Sequence, residues 1–406
     1  MSRNAQVIAR SPKDMAQWLW RGPSEHPTRH HRGVHTYGRR GAAVGTGFGV
    51  GIGATAVGIG WFYSNVLLDP TPQAVWPERV LAVDRVAATV TLAPSRLALQ
   101  PGVWGLRWPE GLAVIGPVAR AGRRAVVRPL LEGPAPPAPA GAVLDAGPWD
   151  PDPGARGLEF SDVWVATPLG PAPAWDVPAA GDVRVVAVHG RGGTRREALR
   201  ILPALHRAGF PVLVVSYRND AGAPPSPDGR YHLGDTEWED IEAGVRHALA
   251  GGARRVVLYG WSMGGAVTGA FLDRSPLARH VAAVVWDAPL VDWRATLRQQ
   301  ARNRRLPPLL TPFATRITSR RIGIDFDRFD LRAHPPSVRP PTLLVHSSGD
   351  TAVPVAASRA LAAAAPRLDW PLRYVEVPDA EHTGSWNADP DAYERLVTGF
   401  LTEHAR

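Results

Sequence analysis

The chain has 406 residues, of which 45% are hydrophobic and 20% are charged, a balance close to that of globular proteins, so a packed core is expected and wholesale disorder is excluded. Lysine and arginine number 46 against 37 acidic residues, and the resulting net charge of +9 favours anionic surfaces such as phospholipid headgroups. No nucleic-acid-binding motif accompanies this charge, so nucleic acid is not an expected partner. The chain has no cysteine, which excludes thiol catalysis, disulfides and cysteine-ligated metal centres.

The first 68 residues predict a basic tail followed by a membrane anchor. Residues 1–40 are polar and basic without periodicity, and residues 41–68 form an uncharged run long enough to cross a bilayer. Because basic residues precede this run and Asp69 and Glu78 follow it, the positive-inside rule predicts a cytoplasmic tail, a single-pass transmembrane helix and an extracytoplasmic remainder. Glycines at 45, 49 and 53 share a helical face and predict a homodimer contact. The alternative is a soluble, flexible glycine-rich segment.

Residues 69–157 predict a small domain and a connector. Short runs rich in valine, leucine and tryptophan alternate with proline and glycine turns over residues 69–131, as in small antiparallel sheets. Residues 132–157 are crowded with proline, alanine and glycine, which predicts an extended linker. The role of this region is left open.

Residues 158–406 alternate between strand-like and helix-like patterns, which predicts a parallel sheet covered by helices. Helices are expected at 236–250 and 263–273, and residues 292–338 are expected to form an inserted helical cap. The predicted strands cover residues 162–167, 183–188, 212–216, 255–259, 281–286, 342–346 and 372–377.

The strongest chemical signal is the run from Gly260 to Gly265, which follows a predicted strand and opens a helix. Glycine two residues before and after Ser262 leaves room for a strained strand-to-helix turn that exposes the serine hydroxyl. This pattern indicates a catalytic nucleophile. A glycine-rich turn with a serine cap is the plainer alternative.

A second glycine-rich loop, at residues 189–193, follows the first buried strand. Such a loop can turn backbone N–H groups toward a substrate oxygen, so the N–H groups of Arg191 and Met263 are expected to form an oxyanion hole. His189 is expected to hold the loop by hydrogen bonds rather than to act in catalysis.

Two further turns supply an acid and a base. Asp350 follows the predicted strand 342–346, at the strand end where sites of α/β sheets gather, and His382 lies on the loop after strand 372–377. The order Ser262, Asp350, His382 predicts a triad in which His382 is the general base and Asp350 orients it. Asp287 and Asp292 are weaker candidates for the acid.

Four motifs now stand in one order: HGRGG at 189–193, GWSMGG at 260–265, GDTAVP at 349–354 and EHTG at 381–384. Together they resemble the α/β-hydrolase superfamily, especially its serine-aminopeptidase-like and monoacylglycerol-lipase-like branch, from about residue 160 to the C-terminus. The resemblance implies an α/β-hydrolase fold that cleaves esters, thioesters or amides through an acyl-enzyme, without a metal or an organic cofactor.

Three functions remain open at this point. The first is a membrane-anchored esterase acting on acyl or lipid-like esters. The second is a peptidase of the same fold, which would need acidic or polar groups to hold a free amine. The third is a silent binding module. The cap is rich in arginine, which would suit anionic lipid or an acidic substrate group, although a solvated helix face is the plainer explanation. The arginines lie at 294, 298, 302, 304, 305, 316, 320 and 321.

Overall fold

The computed structural model describes residues 45–71, 75–147, 150–307 and 310–405, with side chains described from residue 57 onward. Val57–Arg406 form one compact unit. The predicted basic tail at 1–40 lies outside the described residues. The homodimer contact predicted for the glycines at 45, 49 and 53 also lies outside the part of the chain whose side chains are described. The first element is helix α1, Gly45–Leu68.

Helix α1 falls within the predicted membrane segment. Among the residues that the structure describes, no helix is both long enough and apolar enough to cross a membrane. Glycine and threonine dilute the apolar residues of α1. The transmembrane helix predicted over 41–68 therefore remains unconfirmed.

The small domain is an antiparallel sheet of seven strands that closes on itself. Its order is β2-β1-β7-β3-β4-β6-β5, and β2 also pairs with β6, so six strands form a ring. The strands are β1 Glu78–Asp84, β2 Thr89–Leu92, β3 Trp104–Trp108, β4 Gly111–Ile115, β5 Arg120–Ala121, β6 Val126–Glu132 and β7 Ala140–Asp145.

The linker predicted over 132–157 is wrong in its middle, because β7 pairs with both β1 and β3 and completes the ring. Its alternate residues Ala142 and Leu144 are buried in the core of the small domain. Strand β7 is short, and proline and glycine lie on both sides of it. The average composition of the segment therefore did not indicate a strand.

The second sheet has eight strands in the order β15-β14-β13-β12-β10-β11-β9-β8. The strands from β15 to β11 are parallel, and β9 and β8 are added antiparallel at one edge. The bounds are β8 Ser161–Thr167, β9 Gly170–Val177, β10 Val183–Val188, β11 Val212–Val215, β12 Arg255–Trp261, β13 Val281–Asp287, β14 Thr342–Ser347 and β15 Leu372–Val377. The predicted parallel sheet is confirmed, and β9 is the strand that the sequence did not predict.

Helices cover both faces of this sheet. They are α2 Leu202–Arg207, α3 Trp238–Ala250, α4 Met263–Arg274, α5 Trp293–Asn303, α6 Leu310–Ile322, α7 Val355–Ala364, α8 Ser385–Ala388 and α9 Pro390–His404. Single 3₁₀ turns lie at Pro153–Arg156, Arg195–Arg200, Pro276–His280, Phe326–Phe329 and Ala365–Leu368. Helices α5 and α6 form the inserted cap between β13 and β14.

Alternation along the central strands produces two cores. In β10, Val186 and Val188 face one hydrophobic cluster, whereas Val185 and Ala187 face the other. A strand buried on both faces needs apolar residues at every position, which is why β10 reads as a continuous apolar run. The carboxyl ends of these strands carry the site described next.

Candidate active site

The turn between β12 and α4 holds Ser262 in a strained conformation. Its φ of 51° and ψ of −115° lie in a region that side chains rarely adopt. The neighbouring glycines permit it, since a Cβ at Gly264 would come within 2.3 Å of the carbonyl oxygen of Val188, and one at Gly260 within 2.7 Å of Gly264. The turn thus presents the serine hydroxyl at the N-terminus of α4.

The three residues of the predicted triad lie in hydrogen-bond contact. His382 Nε2 is 2.8 Å from Ser262 Oγ, and His382 Nδ1 is 2.7 Å from Asp350 Oδ2. The Asp350 side chain is fully buried, whereas that of His382 is 23% exposed. This chain of contacts joins three loops that are far apart in sequence and puts a base against the serine hydroxyl.

The carboxylate of Asp350 and the imidazolium form of His382 stabilise each other. Burial by itself disfavours both charged forms, yet the pKa of Asp350 is held well below its usual value by the facing imidazoles of His382 and His346. Burial likewise opposes the imidazolium of His382, but the carboxylate of Asp350 outweighs it and raises the pKa of His382 above 6.5. The site therefore stabilises the imidazolium that forms when His382 takes the serine proton.

A second histidine, which the sequence did not single out, also binds Asp350. His346 Nε2 lies 3.0 Å from Asp350 Oδ2, and its Nδ1 lies 2.7 Å from the hydroxyl of Ser358. The other carboxylate oxygen of Asp350 accepts the N–H groups of Ala352 at 2.7 Å and Val353 at 2.8 Å. Asp350 is thus held by four donors, counting His382.

The loop after β10 lies beside Ser262. The N–H of Gly190 donates to Glu197 at 2.8 Å, so it is not available to a substrate. Within the described residues, the N–H groups of Arg191 and Met263 have no protein acceptor. These are the two donors that the sequence predicted for an oxyanion.

His189 acts as the sequence predicted, as a structural residue of this loop. Its ring lies between the carbonyl oxygen of Gly190, at 2.8 Å, and the carboxylate of Asp220, at 2.7 Å. It also stacks on Tyr217 with ring centroids 4.3 Å apart. It is buried and does not reach Ser262.

The two weaker candidates for the acid have other partners. Asp287 accepts hydrogen bonds from Tyr393 at 2.8 Å and Ser385 at 3.0 Å, and its burial raises its pKa. Asp292 caps the N-terminus of α5 by accepting the N–H of Ala295 at 2.8 Å. Neither carboxylate bonds to His382.

The small domain braces the loops that carry the acid and the base. Arg96 donates to the carboxylate of Glu381 at 2.8 Å and to the carbonyl oxygen of Gly349. The side-chain oxygen of Gln100 accepts the N–H of Glu381 at 2.7 Å. Glu381 also accepts both donors of Thr351, at 2.8 Å and 2.6 Å. The residue before His382 therefore ties three segments together.

A buried arginine holds the loop between β2 and β3, which carries Arg96 and Gln100. Arg128 is fully buried and donates to the carbonyl oxygens of Gly116, Ala98, Gln100 and Gly102. Burial lowers its pKa to about 10. Three of the four acceptors belong to the loop that meets the histidine loop, so Arg128 sets the shape of that contact.

A cavity of about 290 Å³ opens beside Ser262 and His382. Its walls come from the cap, from the acid turn and from α1, whose residues Ile59, Tyr63, Ser64, Val66 and Leu67 line it. Most of the lining is apolar, and the described lining residues include no aspartate or glutamate. The part of α1 after residue 57 is therefore a wall of the site.

The end of α1, from residue 57 onward, is held against the hydrolase domain by close contacts. A Cβ at Gly60 would come within 2.6 Å of Ile317 on α6, so the two helices cross closely there. The guanidinium of Arg191 donates to the carbonyl oxygens of Leu67 at 2.7 Å and Val66 at 2.5 Å, at the C-terminal end of α1. Arg191, whose backbone N–H is a predicted oxyanion donor, therefore also binds the end of α1 through its side chain.

The doubly covered sheet and the strained serine turn define this protein as an α/β-hydrolase. Residues 201–406, just over half of the chain, match the model of the prolyl oligopeptidase family, and the chain belongs to that family. Residues 79–145, which form the small domain, match a domain of unknown function.

Similar proteins extend this comparison. Two uncharacterized proteins of Mycobacterium tuberculosis, Rv2307c and MT2364, are each 29% identical over 229 residues, covering 54% of this chain and 70% of theirs. The esterase Pf2001 of Pyrococcus furiosus superposes with a TM-score of 0.52 at 20% identity, covering 63% of this chain and 97% of that one. At that identity the likeness shows the fold alone.

Proposed function

We propose that this protein is a serine esterase that cleaves acyl esters through an acyl-enzyme on Ser262. One observation carries the proposal: the unbroken chain from Ser262 Oγ through His382 to Asp350, with spacings of 2.8 Å and 2.7 Å, lies beside a mostly apolar cavity. A silent binding module would not require an activated serine at such a cavity.

In the proposed first step, Ser262 Oγ attacks the ester carbonyl carbon while His382 Nε2 takes the hydroxyl proton. The carbonyl oxygen becomes an oxyanion, and the N–H groups of Arg191 and Met263 donate to it. The bond to the alcohol then breaks as His382 returns its proton to the leaving oxygen. Asp350 keeps the imidazole in the required tautomer throughout.

The second step releases the acid. A water molecule gives a proton to His382 and attacks the carbonyl carbon of the acyl-enzyme. The second oxyanion collapses, the bond to Ser262 breaks, and His382 returns the proton to Ser262 Oγ. Water is the only co-reactant, and the products are a carboxylic acid and an alcohol.

The lining of the cavity favours esters over peptides with a free amine. An ammonium group in a partly buried site needs an anionic partner, and no carboxylate is among the described lining residues. A peptidase of the same fold remains the second candidate because of the family match. Turnover of peptides without turnover of esters would favour it.

The first experiment is labelling with a fluorophosphonate probe. Wild-type protein should be labelled, Ser262→Ala should not, and His382→Ala should be labelled far more slowly because the serine loses its base. Ser337→Ala, which removes an exposed hydroxyl that donates to Asp273 at 3.1 Å, away from the serine turn, is the matched control and should label normally. Folded wild-type protein that stays unlabelled would refute the proposal.

Membrane attachment and dimer formation are separate hypotheses. The uncharged run that starts at residue 41 after a basic tail supports a membrane-bound enzyme with its hydrolase domain outside the cytoplasm, even though the end of the run packs on that domain. The glycine repeat supports a homodimer. Protease protection in intact cells tests the first hypothesis. Crosslinking in detergent tests the second.

A further inference from the structure

The catalytic cavity holds a cation without an anionic partner in the described part of the chain. Arg304 lines the same cavity as Ser262 and His382. One nitrogen of its guanidinium donates to both the backbone and the side-chain carbonyl oxygens of Gln300, at 3.0 Å and 2.5 Å, and the group lies 6.0 Å from the ring centre of Tyr63 on α1. Desolvation lowers the pKa of Arg304, so the charge is held there at a cost.

Two other arginines of the cap region do have acidic partners. Arg294 forms an ion pair with Asp327, and Arg332 forms one with Asp330 at 2.7 Å. Arg191 also lines the cavity, but it donates to the carbonyl oxygens at the end of α1. Arg304 is therefore a cavity-lining guanidinium with donors left for a ligand.

A second polar group faces the same cavity. Ser64 on α1 is 1% exposed, lines the cavity, and its hydroxyl has no hydrogen-bond partner. A buried hydroxyl without a partner destabilises a protein unless a ligand or water supplies one. The cap threonines that line the cavity are different, since Thr315 and Thr318 donate to carbonyl oxygens of their own helix.

We propose that the substrate is an acyl ester carrying a carboxylate or phosphate group, which Arg304 binds and to which the hydroxyl of Ser64 donates, between α1 and the cap. This inference rests on the proposed esterase function for its reaction, though not for its binding. A guanidinium matches the two oxygens of such groups, and the apolar walls accommodate the chain. None of the lining residues that the structure describes is a carboxylate that would repel the anion.

The test compares matched esters. The mono-p-nitrophenyl ester of octanedioic acid, with its free carboxylate, should be cleaved with a higher kcat/KM than p-nitrophenyl octanoate. Arg304→Met should lower kcat/KM about 10- to 100-fold for the anionic ester, the loss expected for a charge-assisted hydrogen bond, and less than about threefold for the neutral one. A second pair, octanoylglycerol phosphate and octanoylglycerol, carries the anion on the alcohol side of the ester. A higher kcat/KM for the phosphate, lost in Arg304→Met, would mean that Arg304 binds the alcohol portion of the substrate.

Arg298→Met is the matched control, because it removes the same charge from the cap while Arg298 lies outside the lining of this cavity. It should leave the preference for anionic esters unchanged. Ser64→Ala should weaken the preference without abolishing it. The proposal would be overturned if Arg304→Met lowered kcat/KM equally for the anionic and the neutral ester. It would also be overturned if Arg298→Met lowered the preference for the anionic ester as much as Arg304→Met does.

A binding experiment separates this inference from the proposed function. Ser262→Ala cannot form an acyl-enzyme, so calorimetry can measure its affinity for the intact octanedioate monoester and for the neutral methyl ester of the same compound. Tighter binding of the anionic compound, lost on adding Arg304→Met, supports the inference even if no ester is turned over. Equal affinities would refute it even if the esterase activity is real.

Discussion

His346 and His382 bind the same oxygen of Asp350, at 3.0 Å and 2.7 Å. His346 is fully buried and does not touch Ser262, so its effect on the reaction passes through the carboxylate. Replacing it with leucine would leave Asp350 less firmly placed and the hydroxyl of Ser358 without its partner.

We expect His346→Leu to lower kcat about tenfold while KM changes little, since the substrate cavity is not altered. His346→Gln, which can still donate a hydrogen bond, should retain more of the activity. Steady-state kinetics on one ester decide the matter. A change confined to KM in His346→Leu would contradict the positioning role.

The raised pKa of His382 predicts the acidic limb of the pH profile. His382 must be neutral to take the serine proton, so kcat/KM should fall as the pH drops through its pKa, which Asp350 raises above that of a free imidazole. Asp350→Asn removes the negative charge that raises this pKa. The limb should then move to lower pH, and kcat should fall about 10³- to 10⁴-fold. A limb that stays in place would show that another group titrates.

Arg96 offers a test of the small domain. Its ion pair with Glu381 is exposed on the arginine side, so Arg96→Ala should change the free energy of unfolding by less than about 1 kcal/mol. Because Glu381 precedes His382 and binds Thr351, kcat should still fall by about three- to tenfold. Denaturant titration and kinetics measure the two effects separately.

Arg359→Ala is the control for this experiment. Its side chain is 53% exposed against 57% for Arg96, and it pairs with Glu376 on β15 rather than with the histidine loop. It should leave kcat unchanged. Equal effects of the two variants would mean that the small domain does not position the base.

The glycines of the serine turn predict a contrast in stability. Gly264→Ala places a methyl group 2.3 Å from the backbone oxygen of Val188, which cannot yield without moving β10, so the protein should lose more than about 2 kcal/mol of stability. Gly399→Ala, in α9 with nothing within 4 Å, should gain up to about 1 kcal/mol from helix propensity. Denaturant unfolding of both variants measures the difference. A tolerated Gly264→Ala would contradict the described turn.

Several features were predictable because their signals are local. The parallel strands appear as apolar runs, and the turn at Ser262 requires the glycines that the sequence carries two residues away on each side. The small domain was only partly predictable. Strand β7 carries a weak pattern of its own, and it exists because β1 and β3 offer it hydrogen-bond partners.

The sequence alone determined the hydrolase fold, the strained serine turn and the order of Ser262, Asp350 and His382, since strand period and turn chemistry act over a few residues. Only the tertiary structure decided that a second histidine, His346, also binds Asp350, that the end of α1 forms a wall of the cavity, and that Arg96 contacts Glu381 across 285 residues of chain. Such contacts depend on how distant segments pack, and no local pattern records which of several similar side chains the fold will bring together.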